Sequence, residues 1–170
     1  MSTLADRLVG SATLRARSYE EVEADGHANW QAVGIVLLSS LAAAFGTGIK
    51  SVSGIAAILI VTLATWVIWV LLTLFIGTQL LPGNQTRADF GQVLRTTGFS
   101  STPGILRALR ILPIVGPAIF LAATIWMLLS FVVAVQHALD YDNTRRAFTV
   151  CLLGWAIHAV VLFGFVLTAV

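Results

Sequence analysis

The chain of 170 residues is 58% hydrophobic and 11% charged, with a formal net charge of +2 and a mean hydropathy of +0.91. Soluble domains carry about a quarter charged residues, so this balance excludes an ordinary soluble domain and points to a polytopic membrane protein. The small net charge, without any basic-aromatic patch, excludes a nucleic-acid partner, and the lone Cys151 excludes an internal disulfide or a cysteine-built metal site.

Residues 1–25 are charged throughout and contain no apolar core, which predicts a hydrophilic segment and not a cleaved signal. Within them Ser18, Tyr19, Glu20 and Glu21 match a capping box, and Glu23 and Asp25 add carboxylates near the positive helix end. The pattern predicts a helix that starts in water at Tyr19 and runs on into the first span, so residues 1–27 form a hydrophilic N-terminal unit carrying the start of the first helix. Residues 28–170 then form the membrane bundle. Four stretches hold no Asp, Glu, Lys or Arg: 26–49, 51–86, 111–139 and 147–170. Each supplies the roughly 20 apolar residues that a membrane helix needs, which predicts spans at 28–45, 55–81, 115–136 and 147–168. Pro82 and Gly83 end the second span, and Asp142 is expected to cap the last helix beside Arg145 and Arg146.

Between the second and third apolar stretches lies "DFGQVLRTTGFSSTPGILRALR", residues 89–110. Phe90, Val93 and Leu94 share one helical face, and Ile105, Leu106, Leu109 and Leu112 share another. Gly98, Pro103 and Gly104 are the expected hinge, because Pro103 disfavours a helical residue before it and glycine permits a turn. The reading is two short amphipathic helices joined by a kink over residues 87–112. Each Arg or Asp at the centre of a span costs about 2.5–3.5 kcal/mol, several times what one Leu or Phe returns, so the segment fails as a lipid-facing helix. It either crosses shielded by other helices or lies re-entrant or at the interface with its arginines snorkelling. Both arrangements place seven Lys and Arg on one side and three on the other, so charge bias does not choose between them.

The stretches "SYEEVEAD", "GQVLRTTGFSSTPGIL" and "IWMLLSFVVAVQHALDYDNTRRAF" resemble the Yip family of membrane proteins, named for interaction with Ypt/Rab GTPases, in its bacterial form. The resemblance covers nearly the whole chain from about Tyr19. It implies an all-α integral membrane protein with five membrane segments, the third short, amphipathic and broken. It also implies a bacterial cytoplasmic membrane, a cytoplasmic N-terminus and an external C-terminus. Eukaryotic members are associated with vesicle trafficking, GTPase binding and membrane shaping. Their long cytosolic N-terminal region has no counterpart in this sequence, so GTPase binding is not expected here.

Three groups of residues are singled out. Asp89 and Arg95, with His158 deep in the last span, form a candidate polar site at membrane depth, where ionisable groups are functional suspects. The structural alternative makes Asp89 a helix cap, lets Arg95 reach the interface or a neighbouring carbonyl, and gives His158 a hydrogen bond across a helix interface. His137, Asp140, Tyr141, Asp142 and Arg145 cluster around one loop. One His with two Asp is a weak metal set, and a capped, ion-paired turn is the alternative. Ala118 with Ala122, and Ser130 with Ala134, offer small faces for close helix packing. Five tryptophans suit interfaces and packing more than a ligand box.

No catalytic motif is present: no His-Glu-x-x-His, no phosphate-cradling Gly-Lys-Ser/Thr loop, and no two carboxylates in one span. No enzyme activity and no cofactor are expected. The sequence predicts a scaffolding, organising or membrane-shaping protein acting through a homo-oligomer, a membrane-protein partner or the lipid bilayer itself. The alternative is a small channel or transporter with its polar site at the broken third segment.

Overall fold

The computed structural model describes residues 2–83 and 86–169, with side chains through residue 157. Helix α1 (Leu4–Ala12) starts at Thr3, whose hydroxyl accepts from the Asp6 backbone while the Asp6 carboxylate bonds the Thr3 backbone. Leu14 takes a left-handed conformation, φ 59°, and turns the chain into α2 (Ala16–Ala24). Ser18 therefore lies inside α2 and caps nothing: the capping box expected there is absent, and α2 starts at Arg15 without a side-chain cap.

The single helix expected from Tyr19 into the first span is also interrupted. Asp25 leaves the helical region, and its carboxylate takes the backbone N–H of His27 at 3.0 Å and the Arg7 guanidinium at 2.8 Å. An Asp that binds nearby backbone offers the chain an alternative to helix, and here that alternative wins. The N-terminal unit is consequently a helical hairpin packed against the bundle.

Among the described residues three helical stretches are long and apolar enough to cross a membrane: α3 (Ala28–Thr47), α4 (Val52–Phe75) with its π-helical extension (Ile76–Leu80), and α6 (Gly116–Ala138), with mean hydropathies of 1.5, 2.7 and 2.5. Helix α3 stops at Gly48, whose φ of 81° suits a residue without a Cβ. Helix α7 (Thr144–Ala169) closes the chain. Among the described residues there is no strand.

The broken segment consists of α5 (Phe90–Phe99) and a 3-10 helix (Thr102–Ile111), with Pro103 in the first turn of the latter. The break falls between Gly98 and Pro103, inside the expected hinge; the second piece is wound as 3-10 where the sequence suggested α. The segment follows α3 from one end to the other. A Cβ on Gly98 would stand 2.6 Å from that of Ala32, one on Gly104 would meet Ser39, and Gly46 abuts the backbone of Arg107. Only glycine at 98 and 104 allows this approach. Helix α6 then runs back, with Met127 beside Ser39 and Leu139 against Gly77.

Fully buried side chains gather toward the end that holds α2. One cluster joins Val22, Ala32, Val36, Trp66, Val93 and Phe99. A second joins Ile76, Val135, Leu139, Tyr141, Val150 and Cys151. Next to the first cluster, which it meets at Val36 and Trp66, a cavity lies in the middle of the bundle and extends toward Ser39 and Ile58.

Candidate functional site

Arg95 sits in the middle of α5 and is buried, 8% exposed. Its Nε donates to the carbonyls of Val22 and Glu23, both at 3.2 Å, Nη2 donates to the same Glu23 carbonyl, and Nη1 reaches Asn29 Oδ1 at 3.1 Å. These carbonyls belong to the last turn of α2, where the helix dipole favours a cation. The arginine caps α2 from outside and pins the hairpin to α3 and α5.

Asp89 is the N-cap of α5: its carboxylate accepts from Gln92 N at 2.8 Å while Gln92 Oε1 accepts from Asp89 N at 2.7 Å. Asp89 and Arg95 flank Gly91, but among the described residues no ion pair joins them. The side chain of His158 lies outside the described residues.

The loop cluster disperses. His137 stacks on Tyr19, ring centroids 5.9 Å apart and planes 3° apart, with Nδ1 4.0 Å from a Glu20 oxygen. Tyr141 turns inward, donating its hydroxyl to Leu81 O at 2.6 Å, with Gly77 O at 3.2 Å, and so closes the end of the π-helical turn. Asp142 and Arg145 are exposed. The expected cap by Asp142 is not made: Asn143 Oδ1 accepts from Arg145 N at 2.6 Å, one residue nearer the helix. Asp140 adopts φ 49° at the turn. Among the described residues no group of His, Cys, Asp and Glu stands close enough to hold a metal ion.

Sequence reasoning missed Tyr19 as a linchpin. Fully buried, its hydroxyl lies 3.0 Å from Ser11 O and 3.3 Å from Ser130 O, joining α1, α2 and α6. A lone aromatic among carboxylates in "SYEEVEAD" was the available signal. Burial pushes its phenol well above the ordinary tyrosine range. Burial also pushes the Glu23 carboxyl up to about 7, with Asp140, Glu20 and Asp89 adding to the shift and Arg95 opposing it. Gln92 Nε2 donates to Glu23 at 3.0 Å. In contrast, the Arg7 hydrogen bond holds Asp25 below the usual carboxylate range.

Deeper in the bundle, hydroxyls line one wall of the cavity. Trp66 Nε1 donates to Thr97 Oγ1 at 3.1 Å, Ser100 Oγ donates to Thr97 O at 2.6 Å, and Ser40 Oγ donates to Val36 O at 2.7 Å. Arg107 donates to Ser39 Oγ at 2.8 Å, to Ser39 O at 3.1 Å and, from Nε, to Gly104 O at 3.1 Å. Among the described residues, Arg107 is the one ionisable side chain lining this space.

A chain of apolar helices with a broken, glycine-rich segment along α3 matches a family model described as the Yip1 domain, over residues 13–166. The chain belongs to the Yip1 family. The match begins in the turn between α1 and α2 and ends within α7, so it takes in α2, the broken segment and α3, α4 and α6. This Yip1-family chain is a membrane protein with several apolar helices. No curated protein and no solved structure matches it significantly.

Proposed function

We propose that this Yip1-family chain is a non-catalytic membrane organiser that crosses the bilayer five times and acts by assembling with copies of itself or with partner membrane proteins. The observation that carries this reading is the fate of the polar groups in the broken segment. Arg95 caps α2, Asp89 caps α5, and the hydroxyls of Thr96, Thr97 and Ser100 bond helical carbonyls within their own segment. Polar groups engaged in this way hold helices together. Among the described residues they leave no facing pair for acid–base chemistry and no continuous polar path for a solute.

Geometry supports the fifth crossing. Ten residues of α-helix rise about 15 Å and ten of 3-10 helix about 20 Å, which together match the roughly 30 Å of α3 beside which they run. With five crossings, Arg7, Arg15, Arg17, Arg87, Arg95, Arg145 and Arg146 share one end and the positive-inside rule makes it cytoplasmic. The outer face of α6 supports assembly: Ala118 and Ala122, one turn apart, are exposed beside Leu121 and Ile125. Small residues let a second helix approach closely.

Cross-linking of the chain in bilayers, before and after substitution, tests the reading. Ala118→Phe or Ala122→Phe is expected to abolish the cross-linked dimer or higher species, whereas Asp89→Ala leaves them in place. Unchanged cross-linking in both phenylalanine variants, or a chain that is monomeric and partnerless from the start, overturns it.

A further inference from the structure

The cavity in the middle of the bundle has a volume of about 340 Å³, at the lower end of ordinary ligand sites, about 300–1,000 Å³. Its apolar wall is formed by Ile58, Trp66, Trp69, Phe131 and Trp155, and its polar wall by the hydroxyls around Ser39 together with Arg107. Val61 and Leu128, at its rim, are 63% and 39% exposed on the apolar flank of α4 and α6. The mouth therefore opens toward lipid.

We propose that this cavity is a binding site for an anionic phospholipid, with Arg107 holding the phosphate and an acyl chain lying along the tryptophan wall. Charge favours such a lipid. The eight Asp and Glu residues of the sequence are Asp6, Glu20, Glu21, Glu23, Asp25, Asp89, Asp140 and Asp142. Residues 26–88, 90–139 and 143–170 contain none. The carboxylates belong to the hairpin, the start of α5 and the α6–α7 turn, which lie together at one end. Lys50, Arg107 and Arg110 belong to the other end. A cation in a low-dielectric site is expensive without a counter-charge, and the sequence places no Asp or Glu in this part of the bundle. A lipid phosphate supplies one.

Geometry favours it as well. Arg110 is already engaged, its guanidinium 4.9 Å from the centre of the Phe120 ring. Arg107 is held by neutral partners only, Ser39 and Gly104, through Nε and Nη2. Among the described residues its Nη1 has no protein acceptor, and an arginine presents five N–H donors in a fork suited to phosphate. Ser39 lies eight residues, about 12 Å, inside the end of α3 at Thr47. From Ser39, near the middle of α3, the cavity continues along an aromatic wall, as an acyl chain requires.

Tryptophan quenching by lipids brominated in their acyl chains tests the proposal on the purified full chain in mixed micelles. Brominated phosphatidylglycerol is expected to half-quench the fluorescence at a mole fraction about fivefold lower than brominated phosphatidylcholine. Arg107→Gln should abolish that difference, while Arg110→Gln, which removes an equal charge outside the cavity, should preserve it. Thr62→Phe, which fills the cavity and leaves Arg107 intact, should reduce quenching by phosphatidylglycerol. It carries the test should Arg107→Gln fail to fold. Equal quenching by the two lipids in the unaltered chain, a preference that survives Arg107→Gln, or full quenching in Thr62→Phe overturns the proposal. Assembly through α6 is read by cross-linking and does not enter this measurement, so the two readings fail separately.

Discussion

Arg95 shows what a single residue does in this chain, and how far its role is legible. Its charge at membrane depth, a helical turn and a half beyond Asp89, admits two readings from sequence: half of a polar site, or a side chain reaching for a carbonyl. The carbonyls it bonds lie 72 and 73 residues upstream, a separation at which no local pattern carries information. Asp89 is different, because its partner Gln92 is three residues away, and its role as a cap is readable from spacing alone. The two substitutions should therefore differ in size. The several hydrogen bonds of a buried charged group contribute about 1.5–3 kcal/mol, and a single N-cap typically about 1 kcal/mol. Arg95→Ala is expected to lower unfolding stability in detergent by about 3 kcal/mol, Asp89→Ala by about 1 kcal/mol. Arg95→Lys should rescue little, since an ammonium lacks the planar fork that reaches α2 and Asn29 together. Equal melting of all three variants would show that the α2 contact is not what Arg95 does.

Among elements, the α1–α2 hairpin departs furthest from expectation. Sequence pattern placed a cap at Ser18 and a continuous helix after it. The structure instead begins a helix at Thr3, turns at Leu14 and breaks at Asp25. The reason is tertiary: burying Tyr19 against α6 fixes the rotation of α2, and local capping strength is too small to compete. Docking also places Glu23 among Asp140, Glu20 and Asp89, facing Arg95 and Gln92, with its carboxyl raised to about 7. A carboxyl whose folded value lies above its unfolded value, here 4.5, binds its proton more tightly in the folded state. That stabilisation is complete below the unfolded value and is lost as pH rises through about 7. Glu23→Gln keeps the neutral form at every pH. It is expected to melt with the unaltered chain near about pH 5 and clearly above it near about pH 8. Identical melting at both would exclude titration of Glu23 from hairpin docking.

At the scale of the whole molecule, four apolar stretches were legible because composition alone marks them, and α3, α4, α6 and α7 occupy them within a few residues. The broken segment was legible as broken, through Gly98, Pro103 and Gly104, yet its course was not. Arg95, Arg107 and three glycines lower its hydropathy below that of a span, and the contacts that shelter it come from helices far away in sequence. Its course decides the sidedness of the chain. Reporters fused to each terminus should lie on opposite faces of the membrane, with the N-terminus on the cytoplasmic face. Termini on the same face would mean that residues 87–112 return to the side they left, and would remove the fifth crossing.

The ten-residue 3-10 helix links two properties of the broken segment, its length and the alignment of its side chains. With three residues per turn, positions i and i+3 eclipse, so Gly104, Arg107 and Arg110 stand in one straight column against Ser39 and Gly46. Rewound as α-helix, the same residues would shorten by about 5 Å and each arginine would swing about 60° from the one below. The reach of the segment along α3 and the alignment of its cations are therefore a single mechanical variable, fixed by one choice of helical pitch.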